Sequence, residues 1–468
     1  MMFIKRKTVL PTLLILILVA VAQTVCVPLT VFAEAVWPQG LSLSSVGETA
    51  VVMDVDSGAL LYAFGANEKH YPASITKVMT AMLALENGNL DDTVTFTKEA
   101  VFGIEPGSAH IARDVDERMS LRDCMYGMML ESANECAYAI AEHIGGDYDT
   151  FINMMNEKAA ALGCKNTHFC NSNGLFDENH YTTAYDMALI AREAFHNETF
   201  DEICGTKTYT IPPTNIHEEE TYLNNHHAML NFYKTRKYLY EYCVGGKTGY
   251  TTEANNTLVT YAKKDGQTLV CVVLNAGQGC HYNDTRRLFD YCFEHFDTTP
   301  IADGFDTKEL PLVEGEEAFG DIDLSKVSLE KDAAITLPTG VAVSEAKAAL
   351  AFFGVTDGEP VIGELTFTYA DHMAGRSKVL YEKPTVIEPE IEGGTPVVVT
   401  HRRFENVVKW ILPVTGTAAG LGLLLFLRHM YVEAPFRGYY GSNLLRRHFR
   451  RRRKRRKKKR RVREREVR

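Results

Sequence analysis

Strand-forming sequence stands at both ends of residues 36–300 and helix-forming sequence fills the middle, an order that few folds accommodate. At the first end, Ala50–Val55 and Leu60–Ala63 flank the turn Asp56-Ser57-Gly58 and predict a hairpin. At the other end, Thr257–Lys263 and Gln267–Leu274 flank Asp265-Gly266, a strong hairpin signal. Between them, Ile75, Val78, Met79, Met82 and Leu85 recur at helical spacing until Asn87-Gly88 ends the run. Ser120, with Asp123 three residues on, has the form of a capping box before Met125, Met128 and Met129. Further helices are expected up to Gly145-Gly146, over Phe151–Leu162 and over Asp284–Phe296. The fold class this predicts is α+β: an antiparallel sheet closed by the two ends of the region and covered by helices. Past residue 300 the pattern shifts to short alternating segments such as Ala334–Leu337 and Glu364–Tyr369, which predict a small, mostly β domain over 301–395.

Charge divides the chain. Residues 428–468 hold 19 Lys/Arg against 3 Asp/Glu, and residues 1–35 hold 3 against 1. Residues 36–427 are therefore left with 28 basic and 56 acidic side chains. Such an acidic body argues against a nucleic-acid-binding core. Lys5-Arg6-Lys7, an apolar stretch running to Ala22 and the small-residue site Ala33-Glu34-Ala35 read as a signal peptide over 1–35. After a linker at 396–406, Val407–Leu427 is apolar apart from Lys409 and is long enough to cross a bilayer. The basic tail behind it places the C-terminus in the cytoplasm and suits anionic lipid. The expected address is the cell membrane of a Gram-positive-type bacterium, with the body outside. Leu412-Pro413-Val414-Thr415-Gly416 offers a competing address, a sortase signal for attachment to the wall, although it lies inside the only span.

Other chemistries find little support. Nine cysteines follow the signal segment, with no C-x-x-C pair and no regular disulfide framework, although Cys164 and Cys170 could pair. The 15 histidines form no H-E-x-x-H, and His226-His227 are adjacent, so no metal site is expected. A phosphate loop ending in Gly246-Lys247-Thr248 would need glycine where Glu241 stands.

Three short motifs carry the chemistry. Ser74-Ile75-Thr76-Lys77 is an S-x-x-K whose spacing puts Lys77 one turn from Ser74 on the same helix face. A lysine in an apolar helix is costly to keep charged, so it can serve as a base toward the serine. The same pattern at Ser328/Lys331 and Ser344/Lys347 lies in polar β sequence and reads as exposed charge. Ser132-Ala133-Asn134 alone could be an ordinary N-cap. Lys247-Thr248-Gly249 follows two glycines and precedes the second hairpin, where a ligand backbone could lie close to a strand.

In the order S-x-x-K, S-x-N, K-T-G the three resemble the D-alanyl-D-alanine carboxypeptidases, the low-molecular-mass penicillin-binding proteins. Tyr71-Pro72-Ala73 before Ser74, Glu105-Pro106-Gly107-Ser108, Leu130-Glu131 and Thr182–Ala188 extend the likeness over residues 40–296. The resemblance implies a DD-peptidase-like catalytic domain over 36–300, with Ser74 as nucleophile, Lys77 as base and Ser132 as proton relay. It implies that Asn134, Lys247, Thr248, Gly249 and Tyr250 hold the peptide, with the Ser74 and Tyr250 amides at the oxyanion. It also implies a muropeptide substrate, β-lactam inhibitors and no cofactor. Two alternatives stay open: a catalytically silent wall-binding or surface-display protein, and a β-lactamase, for which Glu178 is a poor deacylating base.

Overall fold

The computed structural model describes residues 36–38, 40–301, 313–314, 326–354 and 360–382. The signal segment, the linker, the apolar span at 407–427 and the basic tail lie outside them. Among the described residues no helix is long and apolar enough to cross a membrane.

Both expected hairpins form and join one antiparallel sheet. Its strands are β1 (Thr49–Asp54), β2 (Leu60–Phe64), β7 (Cys243–Thr251), β8 (Asn255–Lys264) and β9 (Gln267–Ala276), in the order β2-β1-β9-β8-β7. Strand β1 pairs with β9, Ala50 opposite Val273 and Val52 opposite Cys271, so the two ends of residues 36–300 close the sheet. Asp265 and Gly266 turn the β8–β9 hairpin with φ of 50° and 87°, the conformation for which this dipeptide is suited. Alternation along the strands feeds two cores. Val51, Met53, Val259, Tyr261, Val270 and Val272 face one, and Ala50, Val52, Leu258, Cys271 and Val273 face the other. Burial on both faces explains why these strands are apolar throughout.

Helices cover the first face: α1 (Lys77–Asn87), α2 (Lys98–Phe102), α3 (Leu121–Leu130), α4 (Asn134–Gly145), α5 (Tyr148–Ala161), α6 (Ala184–Phe195) and α7 (Glu198–Gly205). Ser120 caps α3 by accepting from the Asp123 amide at 3.0 Å. Its entry strand β4 (Arg118–Ser120) pairs with β3 (Thr93–Thr95). A small hairpin of β5 (Thr208–Ile211) and β6 (Thr221–Asn224) stands apart from the main sheet. Helix α8 (Cys280–His295) covers the other face with Leu288, Phe289 and Cys292.

Strand β10 (Phe296–Pro300) leads out of the sheet region and pairs with β13 (Ala334–Pro338). A second sheet follows, ordered β11 (Val313–Glu314), β14 (Lys347–Phe352), β15 (Val361–Tyr369), β16 (His372–Tyr381), β12 (Val327–Leu329). Ser328 lies exposed on β12 and Ser344 exposed in a short 3-10 turn, and Lys331 and Lys347 are exposed as well. All nine described cysteines are free thiols, Cys164 and Cys170 included. Cys124, Cys136 and Cys271 are buried in the cores.

Candidate active site

The Ser74 segment departs from the expected helix. Ala73–Thr76 form a 3-10 turn and the α-helix begins only at Lys77. Ala73 has φ of 50°, a conformation that costs a β-carbon-bearing residue about 1–2 kcal/mol and must be held from outside. Two neighbours hold it. The Thr257 hydroxyl on β8 donates to the Pro72 carbonyl at 2.7 Å, and Gly174 presses from the other side. A Cβ at Gly174, whose φ is 87°, would lie 1.9 Å from the Ala73 oxygen, so glycine is required there.

The serine and lysine motif is intact in space. Lys77 Nζ lies 2.9 Å from Ser74 Oγ, 2.7 Å from Asn134 Oδ1 and 2.6 Å from the Asn173 carbonyl oxygen. The lysine is fully buried. Burial, reinforced by the charge of Lys247, holds its ammonium pKa well below the ordinary lysine range. Its three neighbours are all oxygens that can accept from it. In the resting site Nζ donates to all three; once it gives up a proton, N–H groups held on Asn134 and Asn173 turn its lone pair toward the serine hydroxyl.

Ser132 lies in the short turn between α3 and α4, and Asn134 opens α4. Ser132 is not the cap of α4: that place falls to Ala133, and Ser132 has φ of 63°. The strained turn aims the hydroxyl at the second lysine, Lys247, whose Nζ donates to Ser132 Oγ at 3.1 Å and to the Thr248 carbonyl at 3.0 Å. Lys247 is 2 % exposed and so is no surface lysine. Burial lowers its pKa to about 7, against the opposing pull of the Glu131 carboxylate.

Lys247, Thr248, Gly249 and Tyr250 lie on β7, the edge strand of the sheet. Thr248 pairs with Leu258 and Gly249 with Thr257, which leaves the other side of the strand toward the serine. The fit there is close: a Cβ at Gly249 would lie 2.9 Å from the Ser74 amide nitrogen and 2.3 Å from Thr257 Oγ1. An edge strand with a glycine beside the nucleophile can take an extended peptide as an added strand. The Tyr250 side chain is 65 % exposed.

Contacts thus link Lys77 to Ser74 and Asn134, Ser132 to Lys247, and Gly249 to the Ser74 amide, gathering the 3-10 turn, the α3–α4 turn and β7, with Thr248 and Tyr250 on the same strand. A fourth wall, Asn171–Gly174, was not expected. It supplies the Asn173 carbonyl to Lys77 and the Ser172 carbonyl to the Thr80 hydroxyl at 2.6 Å. Its only sequence signal is the Asn173-Gly174 pair, which marks a turn and says nothing of a lysine. Buried His180 bridges the same wall to the serine segment. Its Nδ1 accepts from the Cys170 amide at 3.0 Å and its Nε2 meets Thr76 Oγ1 at 2.9 Å. Burial drops its pKa to about 3, so the ring is a neutral strut. Glu178 is exposed.

Comparison with known proteins agrees with this geometry. The profile of the D-alanyl-D-alanine carboxypeptidases matches residues 40–278. The carboxypeptidase DacF of Bacillus subtilis is 31% identical over 303 residues, covering 63% of this chain and 75% of the relative. The D-alanyl-D-alanine carboxypeptidase of Streptomyces sp. K15 is 31% identical over 54% of this chain and 88% of its own length. A solved variant of the Streptomyces K15 DD-transpeptidase superposes with a TM-score of 0.50 at 29% identity, covering 54% of this chain and 99% of that one. With the match spanning Ser74, the Ser132–Asn134 turn and the Lys247 strand, the chain belongs to the family of serine-type D-alanyl-D-alanine carboxypeptidases.

Proposed function

We propose that the cleft removes the terminal D-alanine from peptidoglycan stem peptides through an acyl-enzyme on Ser74. The observation that carries this reading is the fully buried Lys77 Nζ 2.9 Å from Ser74 Oγ, with Asn134 and the Asn173 carbonyl as its other acceptors. Ser74 Oγ attacks the carbonyl of the penultimate D-alanine while its proton passes to Lys77. The Ser74 and Tyr250 amides stabilise the oxyanion, where one such donor is typically worth ~3–4 kcal/mol. Collapse of the tetrahedral centre breaks the C–N bond, and Ser132 passes the proton to the departing amine of D-alanine. Asn134 orients the peptide amide, while Lys247 and Thr248 hold the terminal carboxylate. Water then attacks the ester and releases the peptide shortened by one residue.

A β-lactam would acylate the same serine and leave slowly. Labelling with a fluorescent penicillin tests the assignment: Ser74→Ala should lose the label, whereas Ser328→Ala and Ser344→Ala should keep it. Labelling that survives in Ser74→Ala refutes the nucleophile. No labelling of any form would support the silent wall-binding alternative.

The apolar segments at 1–35 and 407–427 and the basic tail support an extracytoplasmic body tethered to the membrane by its C-terminal end. Release of the intact protein by detergent is expected. Resistance to detergent with release by a wall hydrolase would instead favour sortase attachment at Leu412–Gly416.

A further inference from the structure

The segment between Asn231 and Tyr240 is unlike the rest of the acidic body. Phe232, Tyr233 and Leu239 are exposed, the first two by 58 % and 53 %, and Lys234, Arg236 and Lys237 are exposed beside them. No acidic residue occurs among them, although residues 36–427 carry 56 acidic side chains against 28 basic ones. Exposed aromatics grouped with cations are the composition of a recognition patch.

The segment is also held in place. The Tyr240 amide donates to the Met229 carbonyl at 3.0 Å, and its hydroxyl donates to Asp290 Oδ1 at 2.8 Å. Arg286 donates to the carbonyls of Tyr238, at 3.1 Å, and Leu239. The Tyr238 ring packs on Tyr282 with centroids 4.7 Å apart. These contacts fix the C-terminal end of the segment, Tyr238–Tyr240, and so where the tip stands.

Its position ties it to the cleft. The Tyr233 ring lies parallel to that of His226, 6.3 Å away, and His226 Nε2 pairs with Glu131 Oε2 at 2.7 Å. Glu131 immediately precedes Ser132. A ligand seated on Tyr233 is thus carried beside the turn that holds the Ser132 hydroxyl.

We propose that Phe232–Leu239 is a docking arm for the polymeric substrate, a glycan strand bearing carboxylate-rich peptides. Sugar rings lie on the exposed faces of Tyr233 and Phe232, and the strand's carboxylates meet Lys234, Arg236 and Lys237. The proposal rests on the reading of the cleft as a stem-peptide hydrolase, and it adds a reason for local cations on a body whose overall field repels an anionic polymer. An anionic bilayer would satisfy the same charges. A bilayer brings no stem peptide, however, so the link from Tyr233 through His226 and Glu131 to Ser132 favours the polymer as occupant.

The test uses the full-length chain in detergent micelles, as parent, as Phe232→Ser/Tyr233→Ser and as Lys234→Gln/Arg236→Gln/Lys237→Gln. Hydrolysis of a soluble pentapeptide ending in D-Ala-D-Ala should stay within twofold of the parent in both variants. Co-sedimentation with purified insoluble peptidoglycan, each protein also carrying Ser74→Ala so that binding is read without turnover, should weaken at least tenfold in both. The parent's retention should fall as salt rises from 50 to 300 mM. Unchanged sedimentation of the variants overturns the proposal. So does a loss confined to flotation with vesicles of phosphatidylcholine and phosphatidylglycerol, which would assign the arm to the membrane. If the parent fails to cut the soluble peptide, the hydrolase reading falls, and sedimentation still reports on the arm.

Discussion

Replacing Asn134 by Asp tests whether Lys77 works as a neutral base. The side-chain oxygen of Asn134 lies 2.7 Å from Lys77 Nζ, so the substitution sets a carboxylate against the amine with almost no change of shape. At that distance two unit charges attract by about 6 kcal/mol with an effective dielectric of ~20. Burying the new carboxylate takes back several kcal/mol, leaving roughly 3 kcal/mol, or about two pH units, in favour of the protonated pair. A proton held there occupies the lone pair that must receive the Ser74 proton. The acid limb of the pH–rate profile should therefore move up by about two units, with an approximately hundredfold loss at any fixed pH on that limb. The second-order rate of acylation by a fluorescent penicillin, followed from pH 5 to 10 in Asn134→Asp and Asn134→Ala, reads this directly. Asn134→Asp should regain tenfold per pH unit, while Asn134→Ala should be slower without an upward shift of the limb. An unshifted profile in Asn134→Asp would mean that Lys77 does not take the serine proton.

Lys247→Gln should lower kcat/KM for a D-Ala-D-Ala peptide at least tenfold, about 1.4 kcal/mol of transition-state stabilisation, and less for a peptide whose terminal carboxylate is amidated. Equal losses would assign Lys247 to Ser132, 3.1 Å away, and not to the carboxylate. Because burial lowers the Lys247 pKa to about 7, its charged form is lost as pH rises through that value. In the parent, kcat/KM for the acid peptide should fall above about pH 7, and the amidated peptide should lack that limb. Gly174→Ala places a Cβ 1.9 Å from the Ala73 oxygen at a φ of 87° and should cost at least ~2 kcal/mol. Thermal unfolding and penicillin acylation should both register the loss, and an unchanged acylation rate would detach Gly174 from the placing of Ser74.

What could be read beforehand was what local physics decides. The Asp265-Gly266 hairpin, the Ser120 cap and the apolar strands are properties of a few adjacent residues, and each appears where its pattern stands. The pairing of Ser74 with Lys77 was legible for the same reason, since three residues separate them. The 3-10 turn and the left-handed Ala73 were not, because they are imposed by Gly174 and Thr257, distant in sequence, while the local pattern favours a helix. Ser132 could pass for a cap until its strained φ turned it toward Lys247. Asn173 was invisible as a ligand of the lysine because it acts through its carbonyl, which every residue possesses. The burial of Lys247 likewise comes from packing, which nothing in its own motif announces.

The most direct measurement is release of D-alanine. The chain is incubated with a pentapeptide ending in D-Ala-D-Ala, and the products are quantified alongside the mass of the quenched protein. The account predicts one D-alanine per tetrapeptide formed, a transient mass increase equal to the acyl fragment on the peptide containing Ser74, and neither product nor adduct in Ser74→Ala. Release of D-alanine by Ser74→Ala, or an acyl group found on Ser132, would contradict it.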